Sequence, residues 1–232
     1  MPVQTIMKRI LVLGNNVESI RRLVRNKGLV DVSEDPEVIL TYGGDGLLLG
    51  SERQWPGVPK LPLRNSRHGK KCEPHQIEEA LERLIQGDLR RRTHIKICAE
   101  AKGQVCVGLN DVLVHNSQPT SGVRYRVWID EKEFSDEIVG DGVVVATPFG
   151  STAYYRSITR GIFRVGIGLA FNNSTEQVDH MVLHEDSVIR VHVTRGPAVV
   201  AADNNPEGIS LDDDDEVVIR RADESAVLLT LS

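Results

Sequence analysis

The chain has 232 residues, which suits two modest domains better than one typical domain of ~100–150 residues. Its hydrophobic fraction (40%) and charged fraction (26%) are ordinary for a water-soluble globular protein, and no apolar run approaches the ~20 residues of a membrane helix. The net charge of −5 argues against a dedicated nucleic-acid-binding protein, which would carry a basic surplus.

The first part of the chain alternates strand-like and helix-like patterns. Strands are predicted at residues 8–13, 29–32, 37–42 and, more weakly, 58–63, and helices at residues 17–28 and 73–88. The strands at 29–32 and 37–42 are expected to be buried. The first helix is expected to end at Gly28, because glycine readily takes the backbone conformation that closes a helix. Alternating strands and helices are typical of a parallel α/β unit.

After residue 90 the pattern becomes β-rich. The strand-like segments are residues 94–101, 104–116, 123–134, 137–148, 181–194, 197–203 and 216–222, and the only helix-like segment among them is 151–161. We therefore predict an α/β domain over residues 1–93 and a β-rich domain over residues 94–232.

The sequence GGDG, residues 43–46, directly follows the predicted strand at 37–42. It is neither a Walker A loop, since no GK[ST] follows, nor a GxGxxG fingerprint. Three interpretations remain open locally: a hairpin turn, a structural strand–loop–helix turn, and a phosphate loop. In a phosphate loop the glycines would let the backbone approach the phosphates. Asp45 would then orient a sugar hydroxyl, accept its proton or help to hold Mg²⁺.

Two stretches of the β-rich half could also bind a ligand. In residues 139–157, Pro148 and Gly150 end an apolar strand before a capped helix, which favours either an anion site or an ordinary turn. In residues 109–116, Asn110 and Asp111 lie between apolar residues. An amide beside a carboxylate suits adenine or ribose, although a β-bulge or Asx turn would explain the pair as well.

Metal binding finds little support in the sequence. His180 and His184 are four residues apart, but the residues between them are strand-like and no third ligand presents itself. The acidic run 212–216 is typical of a solvated turn. The three cysteines include no CxxC pair, and with no signal peptide they predict a reducing, cytoplasmic location.

In this order, GGDG, the Asn-acid pair and the stretch DGxxxxTPxGSTAYxxS resemble the NAD kinase family. The resemblance implies transfer of a phosphoryl group from ATP, or from polyphosphate, to the 2′-hydroxyl of the adenosine ribose of NAD, which gives NADP. It implies a Rossmann-like α/β N-terminal domain, a β-sandwich C-terminal domain, and a site between them. It further implies a homodimer or homotetramer; the charge and the lack of a long apolar run already argue against nucleic acid or a membrane as a partner.

The resemblance assigns roles to individual residues. Asp45 matches the aspartate that activates the acceptor hydroxyl, and Gly43, Gly44 and Gly46 match the phosphate loop. Mg²⁺, or another divalent cation, would be held mainly by the nucleotide phosphates. The positions that match the NAD-binding residues of the family are Asn110, Asp111, Asp141, Thr152, Ala153, Tyr154, Ser157 and Asp203.

Some positions depart from the family pattern. Leu47 follows GGDG where the family has Thr or Ser, Phe149 replaces a small hydroxyl residue, and residues 64–71 (RNSRHGKK) match poorly apart from Gly69. These departures leave two alternatives open. One is a kinase of the same fold that acts on another hydroxyl, of a lipid or a nucleoside, and the other is a nucleotide-binding sensor without catalysis.

Overall fold

The computed structural model of the protein describes residues 7–64, 77–176 and 178–231. The chain forms two compact units, Met1–His94 with Ser225–Ser232, and Ile95–Glu224. The division predicted after residue 93 differs from these units at His94 and at Ser225–Ser232, which group with the first unit. Within the described ranges, no helix combines the length and the apolar character needed to cross a membrane.

The first unit is a parallel sheet with helices, as predicted. β1 pairs in parallel with both β2 and β3, and β4 pairs in parallel with β3. The end of β17 (Glu216–Thr230), which belongs to this unit, pairs in parallel with β4 at Leu228. Apolar side chains of the strands and helices form one core. Its elements are β1 (Arg9–Gly14), α1 (Glu18–Asn26), β2 (Val30–Asp31), β3 (Val38–Tyr42), α2 (Asp45–Gln54), β4 (Lys60–Leu63) and α3 (Ile77–Gln86).

Helix α1 ends as its sequence predicts. Gly28 has a φ of 77°, and its N–H donates to the carbonyl of Arg25 while the N–H of Leu29 donates to that of Val24. This pair of bonds is a Schellman motif, which closes the helix and turns the chain back toward the sheet. The strand that follows is not buried, contrary to prediction, because β2 lies at the edge of the sheet and leaves Val30 52% exposed.

Some predictions for the first unit fall partly outside the described residues. The helix predicted at 73–88 is observed as α3 from Ile77, and its first four predicted residues are not described. The poorly matching segment 64–71, including Gly69, is described only at Arg64.

The second unit consists mainly of two sheets. One has the strand order β13-β12-β11-β7-β15-β16; the other has the order β10-β8-β14-β17, with β5 and β6 joined to β17 and β9 joined to β8. Its elements are β5 (Arg90–Ala101), β6 (Gln104–Gly108), β7 (Asp111–Asn116), β8 (Val123–Ile129), β9 (Lys132–Glu133), β10 (Ile138–Gly140), β11 (Gly142–Ala146), a 3₁₀ turn (Gly150–Thr152), α4 (Tyr154–Thr159), β12 (Ile167–Asn172), β13 (Met181–Leu183), β14 (Ile189–Arg195), β15 (Ala198–Ala202), β16 (Ile209–Leu211) and β17 (Glu216–Thr230).

Alternate residues of both sheets share one apolar core, which makes the second unit a sandwich. Tyr125, fully buried in this core, donates its hydroxyl to the carbonyl of Gly142 at 3.2 Å. The β-rich prediction is therefore confirmed.

Strand β12 was missed by the sequence analysis. Its second residue, Gly168, weakens the strand pattern, since glycine usually interrupts strands. The structure explains the glycine by close packing, because a Cβ there would lie 2.7 Å from the ring of Tyr155 and still closer to that of Phe163.

A buried ion pair joins β4 to α2 in the first unit. The side chain of Lys60 is 0% exposed and that of Glu52 is 3% exposed, and the Lys60 ammonium contacts the Glu52 carboxylate directly. Because α2 begins at Asp45, this pair fixes the helix that carries the GGDG aspartate.

We expect Glu52→Gln to lower the free energy of unfolding by about 3–5 kcal/mol, because it leaves a buried ammonium without this carboxylate. The paired variant Glu52→Leu with Lys60→Met should keep most of the stability, since it removes both charges together. Urea unfolding of the three proteins measures both effects. A loss below about 1 kcal/mol for Glu52→Gln would contradict the assignment.

Candidate functional site

The GGDG sequence connects a strand to a helix. β3 ends at Tyr42, Gly44 has an extended backbone (φ −94°, ψ −179°), and α2 begins at Asp45. Because β3 runs parallel to both of its neighbours, the hairpin interpretation is wrong. The two interpretations that place a helix after the strand remain. The role of Gly43, Gly44 and Gly46 in phosphate binding stays a prediction.

The start of α2 has the properties of an anion site. The helix dipole places partial positive charge at the N-terminal end of α2, which attracts anions. Gly43 is buried, and its N–H donates to the carbonyl of Leu63 at 3.0 Å. The side chain of Leu47 covers Gly43, since a Cβ on that glycine would lie 2.8 Å from a Leu47 methyl group. Leu47 therefore fills the space above the turn with an apolar group.

In the second unit, one carboxylate holds the turn that carries Asn110 and Asp111. Asp203 accepts the backbone N–H of Leu109 at 2.8 Å and that of Asn110 at 2.7 Å, with that of Asp111 further away at 3.3 Å. Its own N–H donates to the carbonyl of Asp111 at 3.0 Å. Asp203 takes a left-handed backbone (φ 50°), which points its side chain back at this turn. The predicted contact of Asp203 with a dinucleotide stays a prediction.

The TPxG turn holds the same segment from another direction. The hydroxyl of Thr147 donates to the carbonyl of Leu109 at 2.6 Å, and its N–H donates to the carbonyl of Asn110 at 2.9 Å. A Cβ on Gly150 would collide with that second carbonyl, so glycine is required for the close approach. The Asn110–Asp111 turn and the TPxG turn, which the sequence analysis treated separately, therefore form one wall of the candidate site. Asn110 and Asp111 are 7% and 5% exposed there.

Asp141 lies at the bend between β10 and β11. Its carboxylate accepts the side-chain amide of Asn173 at 2.6 Å and, at a long 3.5 Å, that of Asn116. The next residue, Gly142, has a φ of 130°, and a Cβ on it would collide with the carbonyl of Val114. The GDG sequence thus lets β11 approach β7 closely and turns the aspartate outward to its amide partners.

Tyr154 begins α4, and its hydroxyl accepts the side-chain amide of Asn172 at 2.9 Å. Burial raises the pKa of Tyr154, the negative charges of Asp141 and Asp111 raise it further, and the Asn172 hydrogen bond lowers it. Because both aspartates influence the pKa of Tyr154, the three predicted residues lie in the same part of the second unit. A phenol with a raised pKa keeps its proton at neutral pH, so it can donate a hydrogen bond there.

The other predicted residues of this stretch lie nearby. Thr152 ends the 3₁₀ turn, Ala153 joins it to α4, and both are partly buried. Ser157 is exposed, and its hydroxyl donates to the carbonyl of Tyr154 within the same helix at 2.7 Å. Their contacts with a dinucleotide remain predictions.

Sequence reasoning missed four polar side chains in this region: His115, Asn116, Asn172 and Asn173. All contact Asp141, Tyr154 or one another. The available signal was the pair Asn172 and Asn173 at the end of an apolar run, which is strand β12 and was not predicted.

The features weighed as metal sites have other partners. His180 accepts the N–H of Phe171 at 3.2 Å, and Lys102 contacts Asp212 at 3.0 Å and Asp215 at 2.8 Å. In the part of the chain that the structure describes, no three His, Cys, Asp or Glu side chains are arranged to hold a metal ion.

Comparison with known sequences points to one family. A family model described as the ATP-NAD kinase C-terminal domain matches residues 109–231. The NAD kinase of Acidithiobacillus ferrooxidans is 29% identical over 201 residues, which cover 80% of this chain and 68% of that protein. The NAD kinase of Methanopyrus kandleri is 37% identical over 134 residues, which cover 54% of this chain and 47% of that protein. The chain thus matches 68% of the length of the first relative and 47% of the length of the second.

Two solved structures have a similar fold. Yeast NADH kinase complexed with NADH superposes with a TM-score of 0.84 at 16% identity, covering 99% of this chain and 85% of that one. An NAD kinase from Archaeoglobus fulgidus in complex with ATP gives a TM-score of 0.79 at 22% identity, covering 95% and 92%. The predicted fold class, an α/β part followed by a β-rich part, is therefore confirmed.

Hydrogen exchange can test whether the carboxylate of Asp203 holds the turn at Leu109 and Asn110. Hydrogen bonds to a charged group contribute about 1.5–3 kcal/mol, so Asp203→Ala should accelerate exchange of the Leu109 and Asn110 amides by roughly 10–100-fold. Asp130→Ala is a matched control, because Asp130 also has a left-handed backbone and accepts the N–H of Val188.

The control should accelerate exchange at Val188 and leave Leu109 and Asn110 unchanged. Unaltered exchange at residues 109–110 in Asp203→Ala would show that the carboxylate does not hold this turn.

Proposed function

This chain belongs to the NAD kinase family, and we propose that it transfers a phosphoryl group to the 2′-hydroxyl of the adenosine ribose of NAD, giving NADP. The observation that carries the proposal is the wall built from the Asn110–Asp111 turn and the TPxG turn, with Asp141 and Tyr154 beside it. These residues lie within the segment that the family model matches. They offer carboxylates, an amide and a phenol, which suit the ribose hydroxyls and adenine of a dinucleotide.

We assign dinucleotide recognition to the second unit. The carboxylates of Asp111 and Asp141 accept hydrogen bonds from ribose hydroxyls, and Asn110 offers an amide to adenine. The phenol of Tyr154 donates to an acceptor atom of the same ligand. Thr152, Ala153 and Ser157 complete the binding surface along α4.

We assign phosphate handling to the start of α2 in the first unit. Its first backbone N–H groups hold phosphate oxygens, and Asp45 accepts the proton of the ribose hydroxyl as that oxygen attacks the phosphoryl group. Catalysis of this kind depends mainly on positioning and on neutralising charge. Carboxylate and phosphate oxygens are suitable ligands for a hard cation. Asp45 would therefore also face a Mg²⁺ ion, or another divalent cation, that is held mainly by the nucleotide phosphates.

ATP is the proposed donor, supported by the ATP complex of the Archaeoglobus fulgidus enzyme; polyphosphate is the second donor to be assayed. The acceptor assay includes NADH, because the yeast relative is an NADH kinase.

The family resemblance also supports a homodimer or homotetramer acting in the cytoplasm. The comparisons favour neither the lipid or nucleoside kinase nor the sensor that Leu47 and Phe149 left open.

Incubation with NAD and Mg²⁺-ATP, followed by an assay for NADP, tests the proposal. Product supports it, binding of NAD without product supports the sensor, and no binding of NAD points to another substrate. General-base catalysis contributes roughly 10²–10⁴-fold, so Asp45→Asn should lower kcat by that factor while NAD still binds.

Asp35→Asn is the matched control for Asp45→Asn. Asp35 lies in the same unit with a left-handed backbone (φ 45°), which asparagine tolerates, and its variant should turn over normally. Near-wild-type turnover of Asp45→Asn would remove Asp45 from the mechanism.

The departure at Leu47 gives a second test. Leu47→Thr replaces the apolar group above Gly43 with a hydroxyl that can bond a phosphate oxygen. A hydrogen bond contributes about 0.5–1.5 kcal/mol, so the KM for ATP should fall by roughly 2–10-fold. Leu47→Ala is the control that removes the same side chain without adding a hydroxyl. Equal KM values for the two variants would show that the hydroxyl itself contributes nothing.

A further inference from the structure

A row of three residues crosses the outer face of the second unit's sheet next to Tyr154. His115 on β7 lies opposite Gly142 on β11, and Gly142 lies opposite Asn172 on β12. Directly paired residues point to the same face of a sheet. Because the middle residue has no side chain, those of His115 and Asn172 meet above it, with Asn172 Nδ2 3.4 Å from His115 Nε2.

The hydrogen bonds in this row have a fixed direction. His115 Nδ1 lies 2.9 Å from the backbone carbonyl of Asn116. A carbonyl oxygen can only accept, so Nδ1 carries the proton, and Nε2 of the neutral ring is an acceptor. The group of Asn172 that faces Nε2 must then be the amide nitrogen, which has two hydrogens to donate.

The same amide nitrogen lies 2.9 Å from the hydroxyl oxygen of Tyr154. Its second hydrogen is donated there, so the Tyr154 oxygen is an acceptor within the protein. The hydroxyl hydrogen of Tyr154 is consequently directed away from Asn172. This hydroxyl hydrogen can be donated to a ligand. The carboxylates of Asp111 and Asp141, when ionised, can only accept hydrogen bonds.

We propose that Asn172 is a positioning residue, which fixes the Tyr154 hydroxyl as a hydrogen-bond donor to an acceptor atom of the bound dinucleotide. The proposal rests on the proposed function, since it concerns how the same site holds NAD. His115 fixes which atom of Asn172 donates the hydrogen bonds. Gly142, which has no side chain, leaves the space in which Asn172 and His115 meet. A hydroxyl held in this way has lost its rotational freedom before the ligand arrives, so less entropy is lost on binding.

The orientation can be tested without any ligand. A hydrogen bond donated to a phenol oxygen favours its ionised form, so removing that donor raises the pKa of the phenol. If Tyr154 instead donated to Asn172, removal of Asn172 would lower it. Titration of Tyr154 by ¹³Cζ-tyrosine NMR, with the signal identified by its loss in Tyr154→Phe, should therefore show a higher pKa in Asn172→Ala. A lower pKa, or an unchanged one, overturns the orientation.

A double-mutant cycle tests the consequence for NAD. Tyr154→Phe should weaken NAD binding by about 10-fold, the equivalent of one hydrogen bond. Asn172→Ala should weaken NAD binding by a smaller factor, and the double variant should bind NAD no worse than Tyr154→Phe alone. Calorimetry gives the Kd for NAD of the wild-type protein, the two single variants and the double variant, which complete the cycle. Equal effects of Asn172→Ala with and without Tyr154→Phe would assign Asn172 a purely structural role and overturn the proposal.

Asn172→Asp reverses the polarity with little change of shape. Its carboxylate accepts the Tyr154 hydroxyl hydrogen and withdraws it from the ligand, so the loss of NAD affinity should exceed that of Asn172→Ala. This excess should shrink in the Tyr154→Phe background, where only repulsion between the new charge and NAD remains. An excess of undiminished size there overturns the proposal. Absence of NAD binding by the wild-type protein would overturn the proposed function, while the titration would still decide the orientation of the hydroxyl.

Discussion

The second unit depends on the convergence of backbone N–H groups from Leu109 and Asn110 on the carboxylate of Asp203. A turn that carries two polar residues between apolar strands would otherwise bury main-chain groups without partners, at a cost of about 1–3 kcal/mol each. Asp203 satisfies the N–H groups, and Thr147 satisfies the carbonyls of the same segment. The main chain of the turn that carries Asn110 and Asp111 is therefore held from two directions.

Two glycines make this arrangement possible, and each does so by the absence of a Cβ atom. Gly150 allows the TPxG turn to reach the carbonyl of Asn110, and Gly142 allows β11 to approach the carbonyl of Val114. Gly142 also leaves the gap in which Asn172 and His115 meet. One position therefore serves both the packing of the sheet and the polar row that ends at Tyr154.

Sequence reasoning worked where structure follows from neighbouring residues and was incomplete where it follows from distant ones. The end of α1 at Gly28 is a local property and was predicted. The choice between hairpin and helix at GGDG depends on the parallel pairing of β3, which no residue of the motif encodes. The Asp203 bonds join residues 92 to 94 apart in the chain. Strand β12 was missed because Gly168, which the packing of Tyr155 requires, is also a turn former.

The GGDG turn of the first unit and the candidate binding residues of the second unit differ in how closely they follow the family motif. At the GGDG turn, Leu47 covers Gly43 with an apolar side chain where the motif offers a hydroxyl to phosphates. In the second unit Asn110, Asp111, Asp141 and Tyr154 are the residue types of the family motif, and hydrogen bonds of Thr147 and Gly150 hold the turn next to Phe149. The residues proposed to bind the dinucleotide therefore follow the family motif, whereas the residue beside the proposed phosphate site departs from it. Donor affinity should respond to changes at Leu47, whereas NAD affinity should respond to changes at Asn172 and Tyr154.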